Sequence, residues 1–124
     1  MSKELTKDEL LELAKTSSPN NNCSTCSSLI CPGWESVPSS FDLKTLRVLG
    51  TLKREGAEEC WDEDHPHGTN IWSADAPISI DFHPYNRSDV YECIACQKKY
   101  LRYTEYGGYY VDERIRYLNP ELIR

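Results

Sequence analysis

Long hydrophobic runs are missing from this sequence, and so is an excess of positive charge. No apolar stretch approaches the roughly 20 residues that a membrane-spanning helix requires. Residues 1–10 (MSKELTKDEL) are too charged and too poor in apolar side chains to read as a secretory leader. The expected compartment is therefore the cytoplasm, where thiols are kept reduced. Lys and Arg together number 14 against 20 Asp and Glu, for a formal net charge of −6. A general nucleic-acid binder carries the opposite balance, because it must neutralise phosphates. The acidic surplus suits a basic protein partner better, although plain solubility explains it equally well. Also lacking are a P-loop, a glycine-rich dinucleotide fingerprint and a nucleophile elbow. No catalytic residue is assigned, and the chain is expected not to be an enzyme.

Cysteine, by contrast, is plentiful for a small chain with reduced thiols: there are six. Four of them form two Cys-x-x-Cys pairs, Cys23/Cys26 and Cys93/Cys96, with Cys31 and Cys60 standing apart. Two residues between thiols let both sulfurs face one ion, and two such knuckles supply the four thiolates of a tetrahedral zinc site. The expected cofactor is thus a structural Zn2+ on Cys23, Cys26, Cys93 and Cys96, with no coordination position left for water. Cys31, Cys60, His65 or His67 could replace one or both of the N-terminal ligands, and six free or buried thiols are the competing reading. A thiol oxidoreductase fits less well, since its Cys-x-x-Cys should open a helix, whereas Cys93 and Cys96 lie between strand-like segments.

The fold class expected from the pattern is α+β: a small single domain with two short N-terminal helices and a C-terminal antiparallel β-meander carrying a zinc-ribbon-like knuckle. Residues 1–124 form one domain, of which 1–22 are an N-terminal helix with a polar linker and 23–124 a zinc-stapled core. Thr6 and Glu9 have capping-box spacing, and Leu5 and Leu10 can form a hydrophobic staple across them. A second helix is expected over residues 41–49, capped by Ser39 or Ser40, with Phe41, Leu46 and Leu49 inward and Gly50 as its stop. Ile78, Ile80 and Phe82 alternate as a half-buried strand would. Further strands are expected over 90–94, 99–106 and 109–117, with Gly107 and Gly108 as a tight hairpin turn. Trp34 is a candidate core plug.

Two stretches are candidates for partner binding. Glu55, Glu58, Glu59, Asp62, Glu63 and Asp64 surround Cys60 and Trp61, and Trp61 and Trp72 would anchor this acidic segment. Arg102, Glu105 and Tyr106 lie in a Tyr- and Arg-rich hairpin, a composition favoured at protein interfaces. Cys60, His65 and His67 could also form a second metal or hydrolytic site, though His-x-His spacing alone is a weak signal. Arg87, Lys98, Lys99 and Arg102 would be the basic patch of a nucleic-acid adaptor.

Segments 72–78 (WSADAPI), 84–87 (PYNR), 101–110 (LRYTEYGGYY) and 114–116 (RIR), together with Cys93-x-x-Cys96, resemble a group of short bacterial proteins of undefined activity. The likeness spans about residues 70–117 and implies no catalytic role. Small acidic bacterial proteins of this kind include immunity proteins that neutralise a toxin domain. By analogy of class, the expected partner is another protein, plausibly a basic toxin, with no membrane involved.

Overall fold

The computed structural model describes residues 3–16, 23–29, 31–54, 62, 68–69, 72–106 and 108–124. The first element, α1 (Lys7–Lys15), begins as the capping box requires. Glu9 N donates to Thr6 Oγ1 and Thr6 N donates to Glu9 Oε1, each at 3.2 Å. Such a cap stabilises a helix by about 1 kcal/mol. Leu5 and Leu10, the staple pair, are both buried, and Ala14 follows them into the core.

Five antiparallel strands form one sheet: β1 (Glu35–Ser36), β2 (Leu46–Thr51), β3 (Asp89–Cys93), β4 (Lys99–Tyr106) and β5 (Val111–Tyr117). Their order is β1-β5-β4-β3-β2, so the last four make a meander with β4 central. Both faces of the sheet are covered. On one, Val90, Leu101, Tyr103 and Leu118 pack with α1, Trp34, Ile78 and Tyr85. On the other, Tyr100 and Ile115 pack with the cysteine loop, Leu29 and Leu46. Trp34 is buried as expected, edge-on to Tyr103 at 4.7 Å and tilted against Tyr85 at 5.6 Å.

Residues 41–49 do not form the expected second helix; one α-helix is present among the described residues. Asp42 caps only a short 3-10 turn, Leu43–Thr45, through Lys44 N at 3.0 Å, and the chain then extends into β2. Tertiary pairing outweighs helical spacing here. Leu46 pairs with Cys93, and Ile94 N donates to Thr45 O at 3.0 Å, so the backbone is consumed by the sheet beside the knuckle. Gly50 is no helix stop. A Cβ there would lie 2.7 Å from the Leu5 side chain and 2.8 Å from Lys3 O. The glycine lets the N-terminal segment cross β2 closely, with Leu5 N donating to Thr51 O at 2.9 Å and Thr51 N to Lys3 O at 2.8 Å.

The alternating stretch at Ile78 is also not a strand. Ile78 makes a single parallel bridge to Ile123, sealed by Ile78 N to Leu122 O at 2.7 Å and Arg124 N to Ile78 O at 2.9 Å. Turns follow, with Phe82 N donating to Ser79 O at 2.9 Å, so that Ser79 is buried and Phe82 exposed. At the hairpin, β4 and β5 pair only as far as Tyr106 and Val111, which leaves a longer loop than a two-residue turn. Gly107 lies outside the described residues.

Arg116, on β5, is fully buried despite its charge. Its guanidinium donates to Pro32 O at 3.2 Å, Ala74 O at 3.3 Å, Ala76 O at 2.6 Å and the Tyr85 hydroxyl. One side chain thereby ties β5 to two separate loops. Gly33 permits that approach, since a Cβ would sit 2.5 Å from Trp72 O.

Candidate metal centre

The two cysteine pairs are brought together by different local devices. In the first, a turn over residues 24–28 closes with Ser27 N donating to Cys23 O and Leu29 N to Cys26 O, both at 2.9 Å. In the second, Cys93 ends β3 and Gln97 takes a left-handed conformation with φ 66°. Gln97 N donates to Cys93 O at 2.8 Å and Cys93 N to Lys98 O at 2.9 Å, so the chain reverses tightly into β4.

The sulfurs of Cys23, Cys26, Cys93 and Cys96 all lie within 4.8 Å of one another. Cys23 Sγ is 3.8 Å from Cys93 Sγ, and Cys26 Sγ is 3.4 Å from Cys96 Sγ. A tetrahedron with zinc–sulfur bonds of about 2.3 Å has edges of about 3.8 Å, so the cluster has the size of a four-thiolate site. A disulfide would need about 2.0 Å. These residues form the cluster able to hold a metal ion among those described. Cys31 stands outside it, buried, with Sγ 3.8 Å from Leu29 O. Cys60, His65 and His67 lie outside the described residues.

The electrostatics of the metal-free thiols are uneven. Backbone N–H groups of Cys26 and Thr25 bring the Cys23 thiol down to about 6. Burial pushes Cys26 up to about 12 and raises Cys96 as well. Cys31 is also held up, to about 12, by burial. Metal binding would have to displace protons from the raised thiols. Four thiolates around a divalent ion leave a net charge of −2, and cations stand nearby. Lys98 Nζ lies 4.9 Å from the Tyr117 ring centroid and 5.8 Å from that of Tyr100. Lys99 is buried, donating to Gln97 O at 2.7 Å and pairing with Glu92 at 3.1 Å; Glu92 also pairs with Arg47. The lysine side chain thus braces the knuckle backbone. The all-thiol donor set and these surroundings fit zinc, which such a site would hold as a closed structural ion.

The residues expected at a partner surface are distributed differently. Arg102 stacks over Tyr91 at 5.2 Å and its Nε donates to Glu113 at 3.0 Å. Glu105 accepts from Tyr110 Oη at 2.9 Å and Arg114 Nε at 2.7 Å. Both are held by their own sheet. Tyr106 projects outward, and three residues of the same Tyr-rich hairpin that were not named individually join it: Tyr109, Tyr110 and Val111. Relative exposures of 75%, 105%, 52% and 65% make this the most open aromatic and aliphatic group on the described surface. A Tyr-rich loop beside two glycines was the available signal. Trp72 is half-exposed instead of anchoring, with Arg114 4.6 Å over its ring. Asp62 is exposed, while its carbonyl accepts from His83 N at 2.8 Å. Glu55, Glu58, Glu59, Glu63 and Asp64 lie outside the described residues, as does Trp61.

No family model, curated protein or solved structure matches this chain. The likeness to short bacterial proteins therefore has no family match behind it. No helix among the described residues is long and apolar enough to cross a membrane.

Proposed function

We propose that this chain is a non-enzymatic, zinc-stapled domain that binds another protein, in concrete form a bacterial immunity protein that neutralises a basic toxin. The observation that carries the binding role is the hairpin tip. Tyr106, Tyr109, Tyr110 and Val111 crowd one end of the sheet, exposed, on a ladder whose other end is gripped by the cysteine cluster. Exposed tyrosines on a rigid support give large contact area at low entropic cost, which is what interface hot spots need. The net charge of −6 favours a basic partner and fast encounter. The acidic segment 55–64 is its proposed electrostatic complement. Toxin neutralisation itself rests on analogy of class.

The nucleic-acid alternative draws less support. Of its four cations, Lys99 is buried against Glu92, and Arg102 is paired with Glu113. Arg87 and Arg102 share a cleft of about 150 Å³ with Lys53, but Asp89 and Glu113 line it too, so its charges nearly balance. Co-expression with the product of the adjacent gene tests the main reading. The expected result is a stoichiometric complex that weakens as salt rises, together with rescue of growth when that product is toxic. A non-toxic neighbour, or a toxic one that neither binds nor is restrained, would sink it. A gel shift at low salt would favour the adaptor.

A further inference from the structure

Tyr100 sits at the centre of the sheet, on β4, with its ring against the cysteine loop. Its side chain is wholly buried, and its hydroxyl has no hydrogen-bond partner among the described residues. Burying a hydroxyl without a hydrogen bond is costly, so the group demands an explanation. The Cys26 thiol packs in the same buried cluster as the Tyr100 ring. A phenol keeps its proton near neutral pH and can therefore donate.

A neutral thiol is a poor acceptor, whereas a metal-bound thiolate is a good one. The structure assigns Tyr100 as a positioning residue that donates its phenolic proton to the metal-bound Cys26 thiolate. This inference rests on the four-thiolate reading of the cluster. The hydroxyl is poorly satisfied in the metal-free protein and well satisfied once Cys26 becomes a ligand. It therefore makes folding of the cysteine loop onto the sheet favour the loaded state. It also withdraws charge from one sulfur of a site with a net charge of −2, the same direction in which Lys98, lying over the Tyr100 and Tyr117 rings, acts. Cys26 becomes the least nucleophilic of the ligands, protected from alkylation by its hydrogen bond as well as its burial.

The Tyr100→Phe variant separates this role from packing, because it keeps the ring and removes only the hydroxyl. Metal content and competition with a chelator are measured first on the wild-type chain. Failure to retain one zinc or cobalt(II) ion there would remove the metal site itself, and this inference with it. With metal bound, Y100F is expected to weaken affinity by about ten- to a hundred-fold. It should also move the sulfur-to-cobalt charge-transfer band to lower energy and speed alkylation of Cys26. The metal-free protein should lose no stability. An unchanged band and affinity, or equal destabilisation with and without metal, would show a packing residue only and overturn the assignment. Should Y100F fail to fold, NMR of the wild-type chain loaded with a spin-half cadmium isotope decides. A slowly exchanging Tyr100 hydroxyl proton coupled to cadmium is expected, and its absence, or its presence without coupling, would overturn the assignment.

Discussion

The two ends of the β4–β5 ladder are built from similar residues and meet opposite fates. At one end Tyr100, Tyr117 and Ile115 pack with the cysteine loop, with Lys99 paired to Glu92 and Lys98 over the Tyr117 ring. At the other, Tyr106, Tyr109, Tyr110 and Val111 stand in the open. The residue types hardly differ. What differs is the cover: Cys23, Cys26, Leu29 and Cys31 pack over Tyr100 and Ile115, and the tip residues are exposed. Cys23 and Cys26 meet Cys93 and Cys96 at that covered end. Tyrosine is thus a core residue where a layer lies over it and an exposed contact where none does.

Removing the metal or its ligands should disturb this contrast most. Chelation, or Cys93→Ser with Cys96→Ser, is expected to release the cysteine loop and expose Tyr100. A structural zinc ion contributes on the order of 10 kcal/mol in small domains, enough to abolish the cooperative fold. Loss of the thermal transition and of protection of the β4 amides would be the readout; an unchanged melting curve after chelation would break the comparison.

Arg116→Ala tests the other face. It strips donors from Pro32 O, Ala74 O, Ala76 O and the Tyr85 hydroxyl at once, and is expected to cost about 3 kcal/mol or more. Denaturant unfolding would measure it. A cost no greater than that of an ordinary surface substitution would mean that the buried guanidinium is not holding the loops.

Acid should loosen the knuckle end selectively. Because burial raises the Cys26 and Cys96 thiols, each must surrender a proton on binding metal near neutral pH. Displacing at least these two protons makes affinity fall by about a hundred-fold or more for each unit that pH drops. The metal-dependent stability is therefore present near neutral pH and lost on acidification, not on raising the pH. Chelator competition at several pH values gives the slope, and a flat dependence would contradict a thiolate site.

The smallest effect on the fold should come from the tip. Tyr109→Ala with Tyr110→Ala removes exposed side chains, and little beyond the Tyr110–Glu105 hydrogen bond is lost. Stability should shift by no more than about 0.5 kcal/mol. Affinity for the proposed protein partner should fall by at least about ten-fold, as expected for hot-spot tyrosines. Calorimetric titration reads both arms of that contrast; unchanged affinity would move the binding surface elsewhere.

Much of this architecture is legible locally. Thr6 and Glu9 announce a helix start because both halves of a capping box lie within one turn. The strands around Cys93 are readable because a knuckle between strands imposes a reversal, and the two cysteine pairs because two-residue spacing aims both thiols of a pair at one point. The sequence by itself determines these, since each depends on neighbours a few residues away. Only the tertiary structure decides that residues 46–51 join the sheet and not a helix, because their partners come from β3 and from the N-terminal segment. It also turns Gly50 from a stop into a crossing point and draws Arg116 inward to carbonyls from distant loops. The same holds for the tyrosines. Alternation along a strand assigns each to a face, but burial depends on whether a distant loop arrives to cover it.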